Sequence, residues 1–94
     1  MLQKLRNTGI LDEDLGFLAG QGWASRSLAA IIWTERSYPS HLGLRLATDI
    51  DPRVRRDFAE ALAKIDPTPE QTEVRQLLEN DLAYSVRKFL IKAN

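Results

Sequence analysis

A chain of 94 residues, 44% hydrophobic and 28% charged, has the composition of one soluble globular domain with a modest core, which excludes a large catalytic fold. Its 13 Lys and Arg cancel 13 Asp and Glu, and the signs balance within 1–40, 41–66 and 67–94 separately, so no part of the chain is built to seek a polyanion. The absence of cysteine excludes disulfides, thiolate metal sites and thiol nucleophiles.

Taken in chain order, 2–6 offers a short turn, and Leu11, Leu15 and Leu18 recur at helical spacing to predict a helix over 11–20. Gly20 and Gly22 end it. A second helix over 24–36 contains Leu28–Trp33, apolar all round, the pattern of a central buried helix. This is the longest apolar run, six residues where a membrane span needs about twenty, and no signal-like segment follows Met1; a soluble cytoplasmic protein is expected. After Ser37-Tyr38-Pro39 comes a helix over 40–49. Asp51 can cap the next, over 52–65, with Pro52 at its first position and Val54, Phe58, Leu62 and Ile65 as its stripe. Thr68 and Gln71 form a capping-box pair ahead of a helix over 69–80, and Val86, Leu90 and Ala93 mark a last helix over 83–93. No segment alternates at period two for long enough to read as a strand. The expected fold is all-α.

Six helices of this length suggest pairs, and the pairs repeat. Ala24, Val54 and Val86 head the second helix of each pair, followed one turn later by Leu28, Phe58 and Leu90, at offsets of 30 and 32. Leu42 with Val74 and Leu46 with Leu78 keep the 32-residue offset in the preceding helices. The strongest shared element is Asp49 six residues before Arg55 and Asp81 six residues before Arg87, each arginine directly after a valine. An acid at a turn and an arginine in the first turn of the following helix can meet on one hairpin or across two. Asp49, Arg55, Asp81 and Arg87 are therefore expected to form a structural ladder.

On these residues the chain resembles the HEAT-like repeat family, including its short bacterial variants. The segment from Leu46 to Leu62 carries the resemblance, and Leu77 to Leu90 follows it less closely. The resemblance implies a single domain over 1–94, an α-solenoid of three antiparallel hairpins at 11–36, 40–65 and 69–93, with the second helices lining a concave face. It is weaker over 11–36, where Ala19 and Ser25 stand at the acid and arginine positions and Gly22 and Trp23 replace a polar turn.

Catalysis has little to work with. His41 is the only histidine, which removes a histidine pair and a serine triad built on Ser25, Ser27 or Ser40. Asp12, Glu13 and Asp14 read as first-turn acids complementing a helix dipole rather than a metal cluster, and Gly20-Gln21-Gly22 lacks the strand and third glycine of a phosphate loop. Neither a cofactor nor a metal is expected, nor is enzymatic activity. Candidate contact residues are of another kind. Trp33 reads as core, while Trp23 either packs as an end cap or anchors a partner. Arg26, Arg56 and Lys88 align at the same offsets, either as a basic stripe on the concave face or as a solvated face in which Arg56 pairs with Glu60 and Arg53 with Asp57. Tyr84, Phe89 and Ile91 lie off the last stripe, so Phe89 is expected in a homodimer or partner contact at the C-terminal end. The function expected is a non-catalytic protein-interaction module, an adaptor, inhibitor or immunity-type binder. The alternative is nucleic-acid binding through Arg26, Arg53, Arg56 and Lys88, which the zero net charge argues against.

Overall fold

The computed structural model describes residues 12–36 and 39–91. The turn expected at 2–6, and Leu11, Tyr38 and Ala93, lie outside the described residues. Six helices carry the fold, with no strand among the described residues: α1 (Asp12–Ala19), α2 (Trp23–Arg36), α3 (Ser40–Ala47), α4 (Pro52–Ala63), α5 (Pro69–Glu79) and α6 (Tyr84–Arg87). Their overall extents are 39 × 26 × 23 Å.

Local chemistry fixes where these helices begin. The Asp51 carboxylate accepts the Arg53 backbone N–H at 2.9 Å, and Pro52 follows where a missing N–H costs nothing. At α5 the reciprocal box forms: the Thr68 hydroxyl accepts the Gln71 N–H at 3.3 Å, and the Gln71 side-chain oxygen accepts the Thr68 N–H at 2.9 Å. Gln71 does a second job that its sequence position did not announce. Its amide nitrogen, buried, donates to the Thr34 carbonyl at 2.6 Å and ties the start of α5 to the end of α2.

The stripes then assemble one core. Leu15 and Ala19 of α1, Ala29, Ala30, Ile32 and Trp33 of α2, Leu42 and Leu46 of α3, Val54, Phe58 and Leu62 of α4, and Val74 and Leu78 of α5 are buried together. Helices α2, α4 and α6 are neighbours in succession, α3 packs on α5, and α1 packs on α2. Trp33 is the largest fully buried side chain, as its all-apolar run predicts. Its ring meets Phe58 edge-on at 5.6 Å between centroids, and its indole N–H donates to the Pro39 carbonyl at 2.8 Å.

The last helix departs from expectation. Instead of running over 83–93, α6 ends at Arg87, and the chain tightens into turns in which the Leu90 N–H donates to the Arg87 carbonyl at 2.9 Å. A helix persists in water mainly through the packing of its buried stripe. Val86 and Leu90 are buried, but the next stripe residue is Ala93, which has only a methyl group to bury. Helix α3 likewise stops at Ala47 rather than 49, where the Thr48 hydroxyl donates back to the Leu44 carbonyl at 3.0 Å.

Candidate functional site

The turns between helices are held by arginines in one recurring geometry. Arg55 donates from Nε to Asp81 Oδ2 at 2.6 Å and from Nη2 to Oδ1 at 3.3 Å, while its Nη1 donates to the Asp49 carbonyl at 2.6 Å. One guanidinium thus closes the turn before its own helix and clamps the acid of the next turn. Each clamped acid is also engaged locally: Asp49 Oδ1 accepts the Asp51 N–H, and Asp81 Oδ1 the Ala83 N–H, both at 2.9 Å. These Asx turns aim the carboxylates. Arg87 repeats the first half, donating from Nη1 to the Asp81 carbonyl at 2.8 Å and the Leu82 carbonyl at 3.1 Å.

The same geometry appears earlier, at a residue to which the sequence assigned another role. Arg26 donates from Nε to Asp49 Oδ2 at 2.7 Å, from Nη2 to Oδ1 at 3.1 Å and from Nη1 to the Gln21 carbonyl at 2.8 Å. The hydrogen bond that Arg26 donates to Asp49 pushes the Arg26 pKa above its ordinary value. Arg26, not Ser25, therefore matches Arg55 and Arg87, at offsets of 29 and 32. Burial agrees with the shifted phase, because Ala29 with Phe58, Ala30 with Ala59 and Trp33 with Leu62 are buried in pairs. The expected column of Arg26, Arg56 and Lys88 does not form. Arg26 is engaged in a rung, Arg56 meets Asp57 at 3.3 Å rather than Glu60, and Lys88 lies 5.2 Å from the Phe89 ring.

The remaining candidates are placed as follows. Arg53 pairs with Asp51 at 2.8 Å rather than with Asp57, and its guanidinium sits 4.1 Å from the centroid of Trp23. Trp23, on the margin of exposure, is thus roofed by a cation rather than left bare. Phe89, expected in a contact at the C-terminal end, is half-buried and packs on the core of its own chain, whereas Tyr84 and Ile91 stay exposed. His41 is exposed, and among the described residues no group of three His, Asp or Glu could hold a metal ion. No described helix is long and apolar enough to cross a membrane.

Between α2 and α4 runs a groove of about 480 Å³. Ile31, Ala61 and Ile65 give it an apolar floor, and Glu35, Asp57 and Glu60 supply most of its charge, opposed by Lys64. Of the two readings of this face, a basic stripe or a solvated face of mixed charge, the basic stripe does not describe this groove, whose lining is mainly acidic. In the sequence, Asp57 and Glu60 stood only as i+4 partners for Arg53 and Arg56. The one available signal was their helical spacing from Ala61 and Ile65.

The Asp51 carboxyl is pushed down from 3.8 to about 2, first by its hydrogen bond from the Arg53 side chain and then by the Arg53 backbone N–H. A depressed carboxyl contributes stability that is present in full above its unfolded value and is lost as pH falls through the folded one. Carbon-detected NMR titration of Asp51 is expected to show a midpoint near 2, and the stability this carboxylate adds at the α4 cap should fade as pH falls from 3.8 toward that midpoint. A midpoint near 3.8 would mean that the Arg53 contacts are not made in solution.

Comparison with protein-family models, with curated proteins and with solved structures finds no match for this chain.

Proposed function

We propose that the chain is a non-catalytic protein-interaction module, built as three HEAT-like helical hairpins and binding its partner along the α2–α4 groove. The repeated rungs, Arg26 to Asp49 and Arg55 to Asp81, support the hairpin reading, as does the succession of α2, α4 and α6 as neighbours. One observation carries the binding reading: the groove joins an apolar floor of Ile31, Ala61 and Ile65 to the carboxylates of Glu35, Asp57 and Glu60. Such a surface suits an amphipathic segment with apolar anchors and basic flanks. The nucleic-acid alternative is less favoured, since three of its four donors, Arg26, Arg53 and Arg56, each hold a carboxylate.

Two designed amphipathic helical peptides with one apolar face, the first flanked by Lys and the second by Glu, test this reading beside a mixed-sequence DNA duplex. Backbone amide shifts are expected to move along Ile31, Ala61 and Ile65 with the Lys peptide alone, and Glu60→Lys should weaken that response. Preference for the duplex, or for the Glu peptide, would overturn the assignment.

A further inference from the structure

Three arginines close three turns, and among the described residues only two of them hold an acid beyond their own turn. Arg26 reaches Asp49, 23 residues ahead, and Arg55 reaches Asp81, 26 residues ahead, each with Nε and Nη2 on the two carboxylate oxygens. The Nη1 of Arg87 is anchored on the Asp81 and Leu82 carbonyls, as the other two are on theirs. Among the described residues no carboxylate meets its Nε or Nη2. The guanidinium is therefore oriented, 5.8 Å from the centroid of the Tyr84 ring, with its bidentate edge unmet by any described carboxylate. Around it the last turn leaves Leu82 97% and Tyr84 66% exposed, and beyond α6 Ile91 is 52% exposed. A depression of about 640 Å³ between α5 and the following segment adds Arg75, Glu79 and Leu90 to the same end.

We infer that this end docks a partner protein's helical hairpin that presents an aspartate at its turn, with Arg87 supplying the next rung and Leu82, Tyr84 and Ile91 the apolar contact. The inference rests on the repeat reading above but not on the groove. The occupant is defined by the two rungs already filled, where the arginine takes an Asx-turn aspartate that begins a helix. A second copy stacked head to tail does not fit, because its first turn, Gly20-Gln21-Gly22, carries no acid. The arrangement is directional, with an arginine that meets no described carboxylate at the turn before α6 and no acid in the turn before α2.

The full chain extended after Asn94 by a second copy of residues 66–94 provides the test. The appended copy of Asp81 then stands 23 residues beyond Arg87, the separation of Arg26 and Asp49. Replacing that appended aspartate with Asn leaves residues 1–94 untouched, so the comparison survives even if Arg87→Ala fails to fold. The Asp form is expected to melt about 4–8 °C above the Asn form, with amide shifts at Arg87, Leu82 and Tyr84 that the Asn form lacks. Equal melting of the two forms, or an appended hairpin cleaved by protease as fast as an unfolded tail, would overturn the inference. Self-association of the unextended chain abolished by Arg87→Ala would overturn it too, in favour of a second copy. A negative result here with Lys-peptide binding intact at the groove would remove the open rung and leave the proposed function standing.

Discussion

Trp33→Ala is expected to remove about 3–5 kcal/mol of stability, a large share of the 5–15 kcal/mol that holds a small domain together. The side chain is fully buried, lies edge-on against Phe58 and spends its indole N–H on the Pro39 carbonyl. Its truncation therefore opens a cavity and strands an acceptor. The same ring explains a glycine. Gly43 lies in the buried face of α3, and a Cβ there would stand 2.6 Å from Cε2 and 2.7 Å from Cη2 of Trp33, and closer still to Cζ2. Alanine would add about 1 kcal/mol of helix propensity in an exposed helix. Here the clash dominates, since neither the ring nor the backbone of α3 is free to withdraw, and Gly43→Ala should cost about 1–3 kcal/mol. The two sites must then couple. In a Trp33→Leu background the space is vacated, and Gly43→Ala should become neutral or stabilising, a non-additivity that urea unfolding of the four proteins reads directly. If Gly43→Ala raises the midpoint with Trp33 present, the close approach of α3 to the ring is wrong.

Helices α4 and α5 were the most legible because each carries two independent signals. In α4 the spacing of Val54, Phe58 and Leu62 agrees with the Asp51 and Pro52 start, and in α5 the Thr68 and Gln71 box agrees with Val74 and Leu78. The six-residue separation of acid and arginine was legible for the same reason, appearing twice among residues that have no other cause to share it. Phase in the first hairpin was not legible. Leu28–Trp33 is apolar on every side, so the run carries no phase of its own, and Leu28 passes for the counterpart of Phe58. Burial instead makes Ala29 the counterpart of Phe58, small in place of large, and the turn that would have fixed the count carries no acid, its Gln21 carbonyl meeting Arg26 as the Asp49 carbonyl meets Arg55. The acidic groove was hidden more deeply. Which charges share a seam depends on how α2 lies against α4, and no spacing within either helix encodes that.

Arg55→Ala should separate a structural arginine from a merely surface one. The Asp81 side chain is 8% exposed and the Arg55 side chain 18%, so truncation leaves a carboxylate with little water to replace the guanidinium and takes a donor from the Asp49 carbonyl. Hydrogen bonds to a charged group contribute about 1.5–3 kcal/mol each way, and a loss of that size is expected in chemical unfolding. Arg55→Lys should recover only part of it, because an ammonium cannot hold both carboxylate oxygens and the carbonyl at the geometry of one planar fork. Asp81→Ala should cost a similar amount, and the double variant much less than the sum, since each single change strands the partner that the other removes. Arg53 serves as the control. Its side chain is 49% exposed, its partner Asp51 is near in sequence, and solvent screens the pair, so Arg53→Ala should change the midpoint far less. Arg87→Ala in the unextended chain should fall between the two, because it forfeits the Asp81 and Leu82 carbonyl bonds but strands no acid. An order in which Arg53→Ala costs more than Arg55→Ala would show that the rungs contribute no more than ordinary surface pairs, and the repeat would then have to stand on its apolar stripes alone.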